Sequence, residues 1–159
     1  MEDSIYYRPT QAVVDLGAIR ANVRNLKEYL GSGTTVIAVV KADGYGHGEV
    51  EVAQAAFEAG AEMVSVATPD EAVRLRVAGI SGDILVMGTS PLVFAEKAAE
   101  LGIILTVSSA EWLQSALDVS KDFMQQLKIH VKIDSGMGRV GLRDESALQS
   151  LVSVVNRSE

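Results

Sequence analysis

The sequence has no cysteine, which excludes a disulfide framework, thiol chemistry and thiolate metal sites and fits a reducing cytoplasm. Histidine is nearly as scarce: His47 and His130 are the only two, so a nitrogen or sulfur metal site is not expected. Long apolar runs are also missing. The longest, Val36 to Val40, is of strand length and cannot span a bilayer. The opening residues Met1-Glu2-Asp3-Ser4 are acidic and lead into no apolar core of signal-peptide type. Positive charge is in deficit, with 14 Lys and Arg against 21 Asp and Glu, a net charge of −7 and a pI near 4.8. Nucleic acid and anionic membranes are therefore not expected as partners, because both need a positive patch. One small phosphate stays compatible, since a few backbone N–H groups suffice to hold it.

What is present is an ordinary globular composition: 159 residues, 48% hydrophobic and 22% charged, enough for one substantial core and one domain. Short β-branched runs alternate with longer stretches at helical period along the whole chain, which reads as consecutive β-α units. An opening strand is expected at Gln11 to Val14. A helix follows from Leu16 to Leu30, where Leu16, Ile19, Val23, Leu26 and Leu30 recur at three- and four-residue steps between Asp15 as N-cap and Gly31 as stop. Thr35 to Val40, Met63 to Ala67, Ile84 to Met87, Ile103 to Val107 and Lys128 to Ile133 read as parallel strands covered on both faces. Thr68-Pro69-Asp70-Glu71 is a capping box opening a helix that runs to Gly79. Ser90-Pro91 opens another that closes near Gly102, Ser108 with Glu111 a third, and Asp144 caps a last helix from Glu145 to Val155.

Such strands, each returned by a helix, lie parallel through right-handed crossovers. Two architectures satisfy this, an open doubly wound sheet and a section of a β/α barrel, and both place ligands at the carboxyl ends of the strands. A complete eightfold barrel takes about 250 residues, so on the barrel reading the chain holds about five of eight barrel strands.

The strongest chemical signal follows the Thr35 to Val40 strand: Val40-Lys41-Ala42-Asp43-Gly44-Tyr45-Gly46-His47-Gly48. A lysine at the carboxyl end of a buried strand sits at the mouth of the site, where partial desolvation favours the neutral amine. A neutral amine attacks an aldehyde to form a Schiff base. The glycines after it let the backbone turn tightly and present N–H donors to a phosphate. The alternative is a solvated lysine in a tight glycine turn, and residue chemistry alone leaves both open. Further on, Lys128 to Asp134 alternates, with Ile129, Val131 and Ile133 on one face and Lys128, His130, Lys132 and Asp134 on the other. In a barrel the apolar set faces the helices, which points Lys132 and Asp134 toward the interior or its mouth. Charged groups there need partners. Arg139, in the glycine-rich turn just beyond, is a fixed cation able to bond a carboxylate or phenolate bidentately.

The run Val40 to Gly48 resembles, residue for residue, the attachment motif for pyridoxal 5'-phosphate (PLP) in alanine racemases. The resemblance extends from Arg8-Pro9-Thr10 to Lys132-Ile133-Asp134-Ser135-Gly136-Met137-Gly138-Arg139-Val140-Gly141, and so covers the whole chain. It implies a PLP-binding, TIM-type (β/α)8 barrel with an added C-terminal β domain, of which residues 1–159 would be the truncated N-terminal part. It implies that Lys41 is the Schiff-base lysine and one of two catalytic bases, that Tyr45 helps hold the cofactor phosphate, and that Arg139 contacts the cofactor ring oxygen and the substrate carboxylate. Lys132 matches a lysine that is carbamylated in many relatives. Such a carbamate would turn an interior cation into an anion that orients Arg139, whereas the alternative reading pairs the Lys132 amine with Asp134. His47 receives no catalytic role.

The implied activity is interconversion of L- and D-alanine, supplying D-alanine for peptidoglycan, by a cytoplasmic homodimer with shared active sites. The family's second base is a tyrosine of the C-terminal domain, donated by the other subunit, and no residue here matches it. The chain alone is therefore expected to be inactive, or nearly so. Two competing readings are a non-catalytic PLP-binding barrel protein of cofactor homeostasis and a lysine-dependent aldolase barrel without PLP. Trp112, Phe57, Phe94 and Phe123, and Met63, Met87 and Met124, are read as packing residues.

Overall fold

A computed structural model describes residues 9–119 and 125–157. Strands β1 (Ile37–Val39), β2 (Met63–Val66), β3 (Asp83–Val86), β4 (Ile103–Val107) and β5 (Ile129–Val131) form one parallel sheet in the order β1-β2-β3-β4-β5. Strand order that follows chain order decides between the two candidate architectures, because a doubly wound sheet reverses at a switch point and a barrel does not. The sheet is an arc of a β/α barrel. The edge strands are shorter than their apolar runs, since each has a ladder partner on one side only. The opening strand expected at Gln11 to Val14 is a correction: those residues join no ladder among the described residues, and Val13 is 80% exposed.

Right-handed crossovers put all connecting helices on one face of the sheet, and the two-residue period sorts the side chains accordingly. Val40, Val64, Val66, Ile84, Val86, Ile103 and Leu105 form the outward row and make one buried core with Ala53, Ala72, Leu75 and Ala98 of the helices. Phe57, Phe94 and Trp112 pack against that core as expected, while Phe123 and Met124 lie outside the described residues. A second cluster joins Val107 to Leu113, Leu142, Leu151 and Val154, with Ile129 against it. Of the apolar set on β5 and just beyond it, Ile129 packs on the helix side as expected, whereas Val131 and Ile133 are 40% and 50% exposed and join no core cluster.

The helices follow their local chemistry. In α1 (Leu16–Leu30), Asp15 Oδ1 accepts from Ala18 N at 3.0 Å, and the helix packs on α3 (Glu49–Glu58). Between β1 and α3 lies a short helical segment, α2 (Lys41–Gly46). The Thr68/Glu71 capping box opens α4 (Pro69–Val77) with proline in its first turn. After Pro91 the chain makes a 3-10 turn, Leu92–Phe94, before α5 (Ala95–Glu100). The cap of α6 (Ala110–Val119) is Ser109, whose Oγ accepts from Trp112 N at 3.1 Å, and not Ser108. Asp144 caps α7 (Glu145–Val155), accepting from Ala147 N at 2.8 Å.

Leu75 on α4 is fully buried at the centre of the main core. Replacing it with alanine should lower stability by about 2–5 kcal/mol through lost burial and a residual cavity, read as a shifted denaturant midpoint with an unchanged slope.

Candidate functional site

Sheet pairing carries on to the residue before Lys41, because Val40 N donates to Ser65 O at 2.9 Å. Val40 is buried on the helix side, so alternation places Lys41 on the opposite, inner face with Ile37 and Val39. Those two are 39% and 41% exposed, and Lys41 is half-buried. The amine thus leaves the carboxyl end of an edge strand on the face where a barrel interior would lie.

The backbone then does something that a glycine turn does not require. Ala42, Asp43, Gly44 and Tyr45 have φ/ψ of 52/51°, 55/45°, 61/34° and 57/36°, one turn of left-handed helix. Only one of the four is glycine, and the other three are the only non-glycine residues at positive φ among the described residues. Each L-residue there costs roughly 1–2 kcal/mol, so neighbours must hold the turn in place. Gly44 N donates to Val40 O at 2.9 Å, and Gly48 N to Asp43 O at 2.9 Å. Asp43 Oδ1 accepts from Glu49 N at 3.1 Å, anchoring the turn to the start of α3. His47 Nδ1 lies 3.0 Å from Gly44 O and 3.2 Å from Tyr45 O and so braces the turn. At the other end, Ala42 N donates to Glu71 Oε1 at 2.8 Å. The turn brings the Tyr45 ring beneath Lys41, with Nζ 5.9 Å from the ring centroid, a cation–π distance.

Glu71 is 9% exposed, and its other oxygen accepts from Ala67 N at 2.7 Å and Thr68 N at 3.0 Å. Burial opposes its ionisation, yet the backbone donors outweigh burial and hold its carboxyl below the ordinary glutamate range. Sequence reading saw Glu71 only as a helix cap. The missed signal was an acid placed within a few residues of a strand's carboxyl end, where the site itself is expected.

A second carboxylate organises the glycine-rich loop after β5. Asp134, with a side chain 2% exposed, accepts from Gly138 N at 2.9 Å, Gly136 N at 3.1 Å and Arg143 Nε at 3.1 Å. The Gly138 and Gly136 donors, helped by Arg143 and opposed by burial, lower its pKa. The loop closes through Asp134 N to Leu142 O at 2.8 Å and Leu142 N to Lys132 O at 2.9 Å. Gly141, at φ 138°, passes so close to the Ile133–Asp134 backbone that a β-carbon has no room there. The pairing of Lys132 with Asp134 is thereby corrected: Arg143 and the loop amides occupy that carboxylate, and Arg143 had drawn no attention in the sequence.

Lys132 and Arg139 are exposed, and neither side chain takes a hydrogen-bonded or ionic partner among the described residues. They lie at the carboxyl end of β5, across the sheet from Lys41 at the carboxyl end of β1. No hydrogen bond, ion pair or ring contact joins Lys41 and Tyr45 to Lys132 and Arg139 among the described residues. Other cations are engaged: Arg20 with Glu58, Lys27 with Glu62, Arg74 with Glu49, Lys97 with Glu100 and Lys128 with Asp83. Arg76 bonds the carbonyls of Leu101, Ile80, Gly82 and Gly102. Cations without an anionic or carbonyl partner thus gather at the strands' carboxyl ends, with Arg24 on α1 the one described exception. No group of three or more His, Asp or Glu able to hold a metal ion exists among the described residues. No helix among them is long and apolar enough to cross a membrane.

Glu71 and Asp134 both have depressed folded-state pKa values, so the stability they confer is present above the ordinary carboxylate pKa of about 4 and is lost as pH falls below it. Amide exchange at Ala42, Gly136 and Gly138, corrected for its intrinsic pH dependence, should be protected at neutral pH and lose protection on acidification. Unchanged protection at acidic pH would remove both carboxylates from this role.

The sequence matches the family described as "Alanine racemase, N-terminal domain" over residues 14–159. It is 42% identical over 158 residues to alanine racemase 1 of Bacillus subtilis, covering 99% of this chain and 40% of that protein. It is 45% identical over 153 residues to the alanine racemase of Geobacillus stearothermophilus, covering 96% and 39%. The chain therefore spans about two fifths of the length of these relatives. Among solved structures, the alanine racemase of Bacillus anthracis with bound L-Ala-P superposes with a TM-score of 0.89 at 42% identity, over 96% of this chain and 39% of that one. The histidine racemase of Leuconostoc mesenteroides does so at 0.83 and 30% identity, over 91% and 38%. By sequence and by fold, this chain belongs to the alanine racemase family.

Proposed function

We propose that residues 1–159 form the lysine-bearing part of the barrel of a PLP-dependent amino-acid racemase that interconverts L- and D-alanine. The observation that carries the reading is the placement of Lys41. Its amine leaves the carboxyl end of β1 on the inner face, and a strained turn sets the Tyr45 ring 5.9 Å from it. The donor set suits the cofactor: PLP brings a phosphate and a phenolate, its substrate brings a carboxylate, and Lys41, Lys132 and Arg139 are cations without an acidic partner among the described residues. When bound, PLP supplies the electron sink that acidifies the substrate Cα proton.

The residues of this chain do the rest. Lys41 Nζ would hold the cofactor aldehyde until the substrate amine displaces it, and the freed neutral amine would then take or return the α-proton on one face. Tyr45 supports the phosphate, and Arg139 receives the ring oxygen and the substrate carboxylate. Lys132, free of Asp134, can take up carbon dioxide as a carbamate and lose a proton, giving an anion that orients Arg139. Racemisation needs a proton donor on each face of the reacting carbon, and Lys41 serves only one. The other face falls to a tyrosine from a C-terminal domain of the second subunit in a homodimer, so this chain by itself is inactive or nearly so. Alanine as substrate rests on the names of the relatives, and a histidine racemase of similar fold supports reading side-chain selection as set by residues outside the shared features. D-alanine made in the cytoplasm for peptidoglycan is the corresponding physiological role.

In the natural protein, PLP followed by borohydride should leave a reduced adduct on the peptide that contains Lys41, and Lys41→Ala should abolish it. Racemisation should fall with that substitution by at least ~10²–10⁴-fold, the contribution of a positioned general base. A wild-type adduct at another lysine, or none, would overturn the assignment and leave the PLP-independent aldolase reading standing.

A further inference from the structure

We propose that Glu71 is a positioning residue for Lys41: its carboxylate clamps the peptide that follows the lysine and so fixes the direction in which the amine leaves the sheet. The inference rests on the reading of Lys41 as the cofactor-holding amine and deepens it. A capping box needs a glutamate to reach back only to the residue that opens its own helix, and Glu71 Oε2 meets that need with Thr68 N at 3.0 Å and Ala67 N at 2.7 Å. Oε1 is left over, and it accepts from Ala42 N at 2.8 Å, 29 residues earlier in the chain.

That second bond contributes nothing to the helix. Its target is the first residue of the left-handed turn, bonded directly to Lys41. The carboxylate cannot drift, being 9% exposed and tied by its other oxygen to two amides at the carboxyl end of β2, the strand beside β1. Glu71 therefore transmits the position of β2 to the Lys41–Ala42 peptide. Without it, Ala42 has no side-chain acceptor among the described residues to hold it in a conformation that L-residues avoid. A reacting group displaced by about 1 Å can lose about 10²-fold in rate.

The test uses the natural protein and three variants. Glu71→Gln keeps the shape but turns an NH2 group toward amide donors, Glu71→Asp keeps the charge but is one methylene short, and Thr68→Ala weakens the α4 cap while leaving the bond to Ala42 intact. The readouts are the rate at which PLP with borohydride labels Lys41, hydrogen exchange at the Ala42 amide, and the kcat and KM of racemisation. E71Q and E71D should slow labelling ~10–100-fold and deprotect Ala42, with kcat for racemisation falling more than KM for alanine rises. T68A should do neither, although it loses the side-chain cap of α4. If E71Q does not fold, E71D carries the comparison. Labelling of E71Q or E71D at the wild-type rate overturns the proposal, as does T68A slowing labelling as much as they do. A wild-type protein that takes no label overturns the cofactor reading and this proposal with it, whereas normal labelling in all four proteins overturns this proposal alone.

Discussion

The left-handed turn at Ala42–Tyr45 is the constraint around which the neighbouring structure is arranged. Three side-chain-bearing residues at positive φ cost together roughly 3–6 kcal/mol, against a net stability for a domain of about 5–15 kcal/mol. Such a segment persists only where its surroundings over-determine it. Here the carboxylates of Glu71 and Asp43, the His47 ring and the buried Gly44 do so. A right-handed continuation would have extended the chain from β1 directly into an ordinary helix. The reversed hand instead folds Tyr45 back toward Lys41 and lets α3 begin at Glu49. The strain is thus confined to the four residues that follow Lys41, and the contacts that hold it come from α3 and α4.

The same device recurs at the far edge of the sheet. Asp134 gathers two loop amides and Arg143 as Glu71 gathers three amides, and each carboxylate pins the first residues beyond a strand's carboxyl end. A loop that must present a cation to a ligand gains from an internal anion, because its backbone donors would otherwise face solvent in many conformations. The anion also fixes which cation is free. Arg143 is consumed in closing the loop, and Arg139, four residues earlier, is left over.

Much of this was legible from residue order. The α7 bounds and its cap, the α1 bounds and its cap, the α4 capping box and the five strands follow from periodicity and punctuation, because each depends on neighbours within a few positions. Gln11 to Val14 failed for the converse reason: a strand exists only with a partner, and a short apolar run carries no information on whether one is adjacent. Lys41 with Tyr45 was legible through a near-identical motif, and the hand of the turn between them was not. Glycine at positions 44, 46 and 48 advertised a bend, yet Ala42, Asp43 and Tyr45 at positive φ contradict local propensity, so only contacts 6 to 29 residues away explain them. Glu71 was hidden by its own sufficiency: as a helix cap it was fully accounted for, and its spare oxygen shows only in three dimensions.

Charge placement closes the argument. A chain of net charge −7 has acids to spare, and it spends them pairing cations along its helices and at the amino end of β3, where Lys128 meets Asp83. Beyond the carboxyl ends of β1, β2 and β5, the carboxylates of Asp43, Glu71 and Asp134 are committed to backbone amides or to Arg143. Lys41, Lys132 and Arg139 therefore have no carboxylate in direct contact among the described residues, even though the molecule as a whole is negative. An anionic small molecule would be drawn to that end without the chain attracting a polyanion over its wider surface, which is the electrostatic division of labour that a phosphate-bearing cofactor and a carboxylate substrate require.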